Sequence, residues 1–409
     1  MIKKRILFLT TTRDFLGKFE QGNVKILQNK GFEVHYAANM QEPHYPIDEE
    51  KLKALGVQIH PIAIARSPFL FTDNEKALRQ ILQLIRRYHI QAIHCHTPVG
   101  GLLGRLAGEL CREQGVVVVY TAHGFHFYKG APAVNQLVYY PVEKQLARYT
   151  DILIVINEED YRCARKFRLK RGGHLYKIPG EGLDTARFRP LPESERKRLR
   201  NELGIAEEAF FLVSVGELNE NKNHGIVLEA LEKLRQQQKG GPPIHYGICG
   251  DGFLRARLET RIRELGLADM VTLYGYCTNV PEILGCADAS VFPSRREGLG
   301  MAGLESLAMG VPVIAADNRG TREYMEHGKN GYVCRFDDVD GFARGIEVLW
   351  ELSPQARAAM AVHCRDTVRP FDKRYAGALM QRVYADVERR IGEAEHEKQR
   401  IGQHHYGRV

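Results

Sequence analysis

Short apolar runs, each followed by a helical pattern, recur along this chain in two successive series. The first series is Arg5–Thr10, Glu33–Ala38, Val57–Ile62, Ala92–Thr97, Val116–Ala122 and Ile152–Asn157, with helix-like segments near 18–30, 48–55, 74–88, 100–114, 133–149 and 159–169. Two of the runs, GVVVVYTA and DILIVIN, are apolar almost throughout. Strands of that kind are buried on both faces of a parallel sheet. Strict alternation of strand and helix specifies an open α/β sheet.

Near Ile178 the pattern breaks: IPGEGLDTARFRPLPES carries three prolines and two isolated glycines before a basic helix begins near Ser194. The second series then runs through Phe210–Val215, His245–Cys249, Val271–Tyr274, Ala289–Phe292, Val313–Ala316 and Tyr332–Arg335. Its helices are expected near 223–238, 253–265, 279–286, 301–309, 321–326 and 339–351. A chain of 409 residues exceeds one ordinary core, so two domains are expected, 1–180 and 181–370. A helix over 371–391 follows, with Tyr375, Leu379, Val383 and Val387 on one face. It can pack back on either domain, and the first is the expected one. Residues 392–409 are polar, charged and His-rich, and read as a disordered tail in which His396, His404 and His405 form no metal site.

No run of 18 apolar residues occurs, so no membrane span is expected. The opening MIKKRILFLTT has an apolar centre of only Ile6–Leu9 and reads as a first buried strand, not an export signal. Eight cysteines stand singly with no CxxC pair, which suits reduced core residues in a cytosolic protein. The net charge of +8 is uneven: residues 1–190 hold 28 Lys and Arg against 18 Asp and Glu, and the remainder 30 against 32. A basic half suits a phosphorylated substrate or an anionic membrane surface. Nucleic acid is not expected, since no Arg/Lys block or RNA-type aromatic motif is present.

The stretch from Val291 to Gly310, VFPSRREGLGMAGLESLAMG, joins a strand to a helix through a Gly-rich turn bracketed by Glu297 and Glu305. Such a turn is where an α/β sheet binds ligands. The backbone of Gly298, Leu299 and Gly300, with Gly303, leaves room for close approach, helix amides suit phosphate, and the glutamates suit hydroxyl groups. Otherwise Glu305 is a solvated helix residue and Glu297 an ordinary loop acid. In VSVGELNENKNHG, Gly216 ends a buried strand and Lys222 precedes a helix. A lysine there opposes the helix dipole unless it neutralises a bound phosphate. Gly250, in ICGDGF, forms a sharp turn able to adjoin a nucleotide, and Asn279 caps the next helix behind a loop free to contact a base. Arg319 and Arg322 face either ligand or solvent.

His123, in TAHGFHFYKG, sits where a buried strand meets its loop and is either placed to hydrogen-bond a substrate or a satisfied structural histidine. Gly17, beside Lys18 in the first loop, is either a close-approach point or a plain turn glycine. His94 and His96 share one face of their strand with Cys95 on the other, and no third metal ligand is evident near them. They are core residues or hydrogen-bonding groups near the site. The first loop, TTTRDFLGKFEQG, is not GxGxxG, so a nicotinamide site has no fingerprint there, and GxxxxGK[ST] does not occur, which removes the P-loop reading. The sequence does not require a divalent metal.

These runs together resemble the GT-B glycosyltransferases of family 4, most specifically at HTPVGGLLGRLA, TAHGFHFYKG, SVGELNENKNH and PSRREGLGMAGLESLAMGVPVIA. The likeness covers nearly the whole chain and is strongest to the subgroup that builds capsule, exopolysaccharide or lipid-linked glycans. It implies two Rossmann-like α/β/α domains facing each other across a deep cleft. It further implies a retaining transferase acting on a nucleotide sugar with no required cofactor or metal. Glu297 would contact the donor sugar, Glu305 the ribose, Lys222 the diphosphate, and His123 the acceptor and the transferring sugar. A UDP-sugar is the expected donor, an N-acetylhexosamine the preferred sugar, and an undecaprenyl-diphosphate-linked glycan the expected acceptor. The protein would be cytoplasmic, in peripheral contact with the membrane's inner face. Glu217 stands where many members have arginine, which weakens the usual Arg–Lys diphosphate pair, and only Gly17 matches a two-glycine loop. A UDP-sugar 2-epimerase, another enzyme of the same fold, or a non-catalytic nucleotide-sugar binder are the alternatives.

Overall fold

Every apolar run of the first series forms a parallel strand: β1 (Arg5–Thr12), β2 (Glu33–Asn39), β3 (Gln58–Pro61), β4 (Ala92–His96), β5 (Val117–Ala122) and β6 (Ile152–Val155). The computed structural model describes residues 3–41, 49–237 and 241–406. Positions 48 and 238, and the tail residues 407–409, therefore lie outside the described residues. The chain divides into two units, one of Met1–Glu181 with Arg374–Val409 and one of Gly182–Lys373.

In the first unit the strand order is β3-β2-β1-β4-β5-β6-β7. β7 (His174–Lys177) is a strand that the apolar pattern does not reveal. It is four residues long, half-exposed and at the sheet edge, so it needs no apolar run. The central strands β4, β5 and β6 are buried along their whole length, as continuous apolar runs require. The helix Pro98–Leu110 lies close on this sheet because Gly104 and Gly108 have no side chain: a Cβ on Gly108 would collide with Val118, and one on Gly104 with Cys95.

The second unit has the order β10-β9-β8-β11-β12-β13, all parallel, with β8 (Phe210–Val215), β9 (Ile244–Cys249), β10 (Val271–Gly275), β11 (Ala289–Phe292), β12 (Val313–Ala316) and β13 (Gly331–Cys334). Its core gathers Phe211, Val213, Leu228, Leu231, Ile248, Val291, Leu304, Ile314, Phe342 and Ile346. A helix at Pro354–Thr367 was not evident in the pattern; it buries only Met360 and Cys364 and so carries little periodicity. All eight cysteines are free.

The end of the chain differs most from the sequence reading. The helix continues from Lys373 to Tyr406, so the expected stop at Ile391 and the expected disorder from Gly392 are both corrected. One glycine costs a helix only about 1 kcal/mol, and contacts beyond it hold the helix on the first unit. Gln91 donates to Glu395 Oε1 at 2.6 Å, Lys398 donates to the Gln114 carbonyl, and Ala394 packs at Gly115. The buried face is Ala376, Met380, Val383, Tyr384, Val387 and Ile391, while Tyr375 points outward. Glu388 binds both Lys4 and Lys30, at 2.8 and 2.6 Å.

Candidate active site

Each sheet reverses its strand order once, between β1 and β4 in the first unit and between β8 and β11 in the second. Loops diverge at such a point and leave a crevice beyond the strand ends. The sequence-predicted residues fall on these loops.

In the second unit, the loop after β8 is tied to the loop after β11. Arg295 N donates to the Asn221 carbonyl at 2.8 Å, and Asn221 Nδ2 to the Arg296 carbonyl at 2.9 Å. Asn223, with φ of +56°, donates to the carbonyls of Pro293 and Phe336. This lacing brings Lys222 Nζ to 2.6 Å from Glu297 Oε1, with the ammonium 5.3 Å from the centre of the Phe292 ring. Gly216 permits it, since a Cβ there would press at 3.2–3.4 Å on the lysine stem. The two residues given separate roles in the sequence are thus one ion pair, half-buried on both sides. Arg319, buried, donates from Nε to the Glu297 carbonyl at 3.2 Å, whereas Arg322 is exposed and pairs with Asp317. Asn318 Nδ2 holds the Ser294 carbonyl at 2.9 Å. The 317–321 turn is therefore a buttress under the Glu297 loop.

The helix Met301–Ala308 starts at Gly300, φ +89°, with no side chain capping its first turn. An uncapped helix start attracts anions. Glu305 lies one turn on and is half-buried. The expectation that Gly300 and Gly303 leave room for a ligand is corrected, because Tyr324 fills it. Its hydroxyl donates to the Gly300 carbonyl at 3.1 Å, and a Cβ on Gly303 would collide with it. Leu299 is buried with its carbonyl against Gly320, so of the turn only Gly298 is partly exposed. Gly250 also has a packing duty: a Cβ there would strike the Gly216 carbonyl. Asn279 occupies the N-cap position of Val280–Cys286 but makes no side-chain cap, contrary to expectation. Its ψ of 39° is outside the extended region, and Pro281 offers no N–H. Exposed Phe253 and Tyr276, beyond β9 and β10, were not singled out in the sequence.

In the first unit three side chains meet at the reversal point. His96 ends β4, His123 follows β5, and Glu20 follows β1. His96 Nδ1 lies 3.1 Å from His123 Nε2 and 3.5 Å from Glu20 Oε1, and Asn23 donates to Glu20 Oε2 at 2.6 Å. Phe15 closes over both imidazoles, at 5.3 and 5.2 Å. One ligand atom from each of Glu20, His96 and His123 lies within 4.8 Å of the others, so the reading that no third metal ligand is near His96 is corrected. Glu20 stands far from both histidines in sequence, and no spacing signals it. Burial pushes the Glu20 carboxyl up to about 8 and the His123 imidazole down to about 4. His96 is lowered by burial and by its histidine neighbours. At neutral pH the cluster is uncharged, and the His96 Nε2 atom has no hydrogen-bond partner among the described residues.

His94 turns out to be structural: Nδ1 meets the Tyr384 hydroxyl at 3.0 Å and Nε2 the Thr121 hydroxyl at 2.8 Å. The loop after His123 is fixed by Asp160, which accepts from Phe125 N at 3.1 Å, and by Glu159, which accepts from Lys129 N at 2.7 Å. Gly17 lies in a π-helical segment, Leu16–Glu20, with the Gln21 amide on its carbonyl, and the nearest atom to an added Cβ is 3.8 Å away.

Family models match both units: "Glycosyl transferase 4-like" over residues 5–157 and "Glycosyl transferases group 1" over residues 195–362. EpsD of Bacillus subtilis (strain 168) is 41% identical over 382 residues, covering 93% of this chain and 96% of that protein. The UDP-Gal:alpha-D-GlcNAc-diphosphoundecaprenol alpha-1,3-galactosyltransferase of Escherichia coli is 27% identical over 325 residues, with 79% and 81% covered. Among solved structures, Anabaena HepE in complex with UDP and glucose superposes with a TM-score of 0.74 at 19% identity, over 94% of this chain and all (100%) of that one.

Proposed function

The chain belongs to the family 4, group 1 glycosyl transferases of the GT-B fold, and from that premise we propose that it is a retaining transferase moving a sugar from a UDP-sugar to a lipid-diphosphate-linked glycan. The observation that carries this reading is the Lys222–Glu297 pair beside the uncapped start of the Met301–Ala308 helix. A diphosphate needs positive charge, and here an ammonium and helix amides converge. A sugar needs hydroxyl partners, and Glu297 is adjacent. Binding of the donor exchanges the internal ion pair for two ligand contacts: Lys222 with the diphosphate, Glu297 with the sugar hydroxyls. Glu305 takes the ribose. Gly216, Gly250, Gly298 and Asn279 contribute backbone or loop surface around the nucleotide.

As the anomeric C–O bond to the diphosphate breaks, charge grows on the leaving oxygen, and Lys222 with the helix amides stabilises it. The acceptor oxygen bonds to the anomeric carbon from the same face. Its proton passes to the departing diphosphate, which leaves configuration retained without a carboxylate nucleophile. His123, neutral and held by His96, hydrogen-bonds the acceptor or transferring sugar. Glu217 offers no second cation, so Lys222 bears the diphosphate charge with helix amides. Those groups supply the positive charge that a metal would otherwise bring, and we propose that no cofactor is needed. Transfer unchanged by EDTA supports this; loss of transfer restored by a divalent ion contradicts it.

The Escherichia coli relative acts, by its name, on GlcNAc-diphosphoundecaprenol with UDP-Gal. It supports a lipid-linked acceptor and leaves a hexose beside the N-acetylhexosamine as donor sugar. No described helix is long and apolar enough to cross a membrane, so we propose reversible contact with an anionic membrane surface through the basic first unit. The test is a donor screen with membrane-extracted polyprenyl-diphosphate glycans, reading nucleoside diphosphate and lipid-linked product together. One donor yielding both in equal amounts supports transfer. Bound nucleotide with no product from any donor contradicts it.

A further inference from the structure

The helix Ala133–Leu146 presents its apolar stripe to solvent. Val134, Leu137, Val138 and Val142 are between 41% and 76% exposed, and Pro141 is exposed beside them. Their spacing, i, i+3, i+4, i+7 and i+8, is that of one helix face. Such a stripe ordinarily covers a core, yet here the only buried residue of the helix is Leu146.

Polar and aromatic contacts fix this orientation. Glu143 accepts two bonds from the buried Arg105 guanidinium, at 2.7 and 3.0 Å, and Arg105 lies 4.0 Å from the centre of the Tyr120 ring. Tyr140 packs edge-on against Phe127 and Phe167, and Asn135 donates to the His126 carbonyl at 2.9 Å. The inner face is thus satisfied, and the outer face is left apolar.

Cations border it. Phe167, against Tyr140, is flanked by exposed Arg165, Lys166 and Arg168, while exposed Lys129 precedes the helix and exposed Lys144 and Arg148 stand at its end. None of these six has an ion-pair partner among the described residues. The nearby acids are engaged: Glu158 with Arg162 and Lys177, Glu159 with the Lys129 amide. The whole unit carries 33 Lys and Arg against 22 Asp and Glu. An apolar helical stripe edged by cations is the signature of a helix lying in a membrane interface. A second copy of so basic a surface would be repelled by it.

We propose that this helix is the bilayer-docking element, its stripe set among the headgroups of an anionic phospholipid surface with the six cations around it. The proposal rests on the membrane contact in the reading above and gives that contact a place. The loop that opens this helix carries His123, so docking would hold the acceptor side of the site at the membrane.

Cosedimentation of the full chain with acceptor-free vesicles tests it independently of transfer. The vesicles are phosphatidylglycerol with phosphatidylethanolamine, or phosphatidylcholine alone. Wild type binds the anionic vesicles and not the zwitterionic ones. Val134→Ser/Leu137→Ser/Val142→Ser lowers the partition coefficient at least tenfold. Arg165→Gln/Lys166→Gln/Arg168→Gln lowers it comparably at low salt. All of the substituted side chains are exposed, so thermal midpoints stay near wild type, and transfer to a water-soluble short-chain acceptor is unchanged. Failure of transfer with intact vesicle binding overturns the enzymatic reading and leaves this proposal standing. Equal binding by wild type and the apolar variant, no binding by wild type, or a wild-type dimer that the apolar variant dissociates each overturns the proposal.

Discussion

Glu20, His96 and His123 converge where the strand order of the first sheet reverses; Lys222 and Glu297 converge where that of the second does. The topological position is the same and the electrostatics are opposite. Glu20 and His96 are sealed from water, and desolvation holds both them and His123 neutral. Lys222 and Glu297 are half-exposed and oppositely charged. Each cluster suits a different chemistry. Neutral donors and acceptors in a dry pocket discriminate hydroxyl groups by hydrogen bonding. A half-buried ammonium paired with one carboxylate suits a ligand that brings two or more negative charges.

The comparison breaks most readily at a buried charge pair of the first unit outside the site, Arg105 with Glu143. Arg105→Ala strands Glu143 and is expected to cost about 3–5 kcal/mol, read as a lowered urea midpoint. A loss below 1 kcal/mol would mean that the pair does not hold the Ala133–Leu146 helix. The next effect in size is on turnover. His123→Ala lowers kcat by about 10- to 100-fold, the range of one or two hydrogen bonds, with UDP affinity unchanged. A parallel loss of UDP affinity would place His123 on the donor instead. Because His123 stays neutral down to about 4, its protonation gives no step in the rate between pH 5.5 and 7; a step near 6.5 that His123→Gln removes contradicts the dry pocket.

A third effect is on stability. The Glu20 carboxyl stays protonated in the folded chain up to about 8 but ionises near 4.5 when unfolded. Between those values the folded state binds the extra proton, so stability falls as pH rises and the loss is complete above about 8. The thermal midpoint of wild type should fall across this window, and Glu20→Gln should lack that part of the fall. Identical slopes would mean that the carboxyl reaches water. The smallest effect is in the second unit: Asn279→Ala changes stability by less than about 0.5 kcal/mol, since no cap is lost.

The sequence disclosed the fold because its buried parallel strands are continuous apolar runs, which leaves only weak elements hidden. β7 is short and half-exposed, and Pro354–Thr367 buries two residues. Lys222 and Glu297 were visible because each breaks a local rule, a cation at a helix start and acids around a Gly-rich turn. Their pairing was not visible, since 75 residues separate them. Tyr324 filling the space beside Gly300 and Gly303 is likewise a tertiary fact. Asn279 shows a local signal overruled by local detail, a ψ of 39° outside the extended region with Pro281 two residues on. The stripe at Val134–Val142 has the spacing of a core face, and only its packing shows that it turns outward.

As proposed above, a donor diphosphate takes Lys222 away from Glu297. Titration calorimetry with UDP, on wild type, Lys222→Ala and Glu297→Gln, tests it most directly. Lys222→Ala should weaken UDP at least tenfold. Glu297→Gln should bind UDP as tightly as wild type or tighter, because the ammonium no longer has a competitor, while transfer is lost. UDP affinity untouched by Lys222→Ala, or weakened equally by both substitutions, would contradict the account.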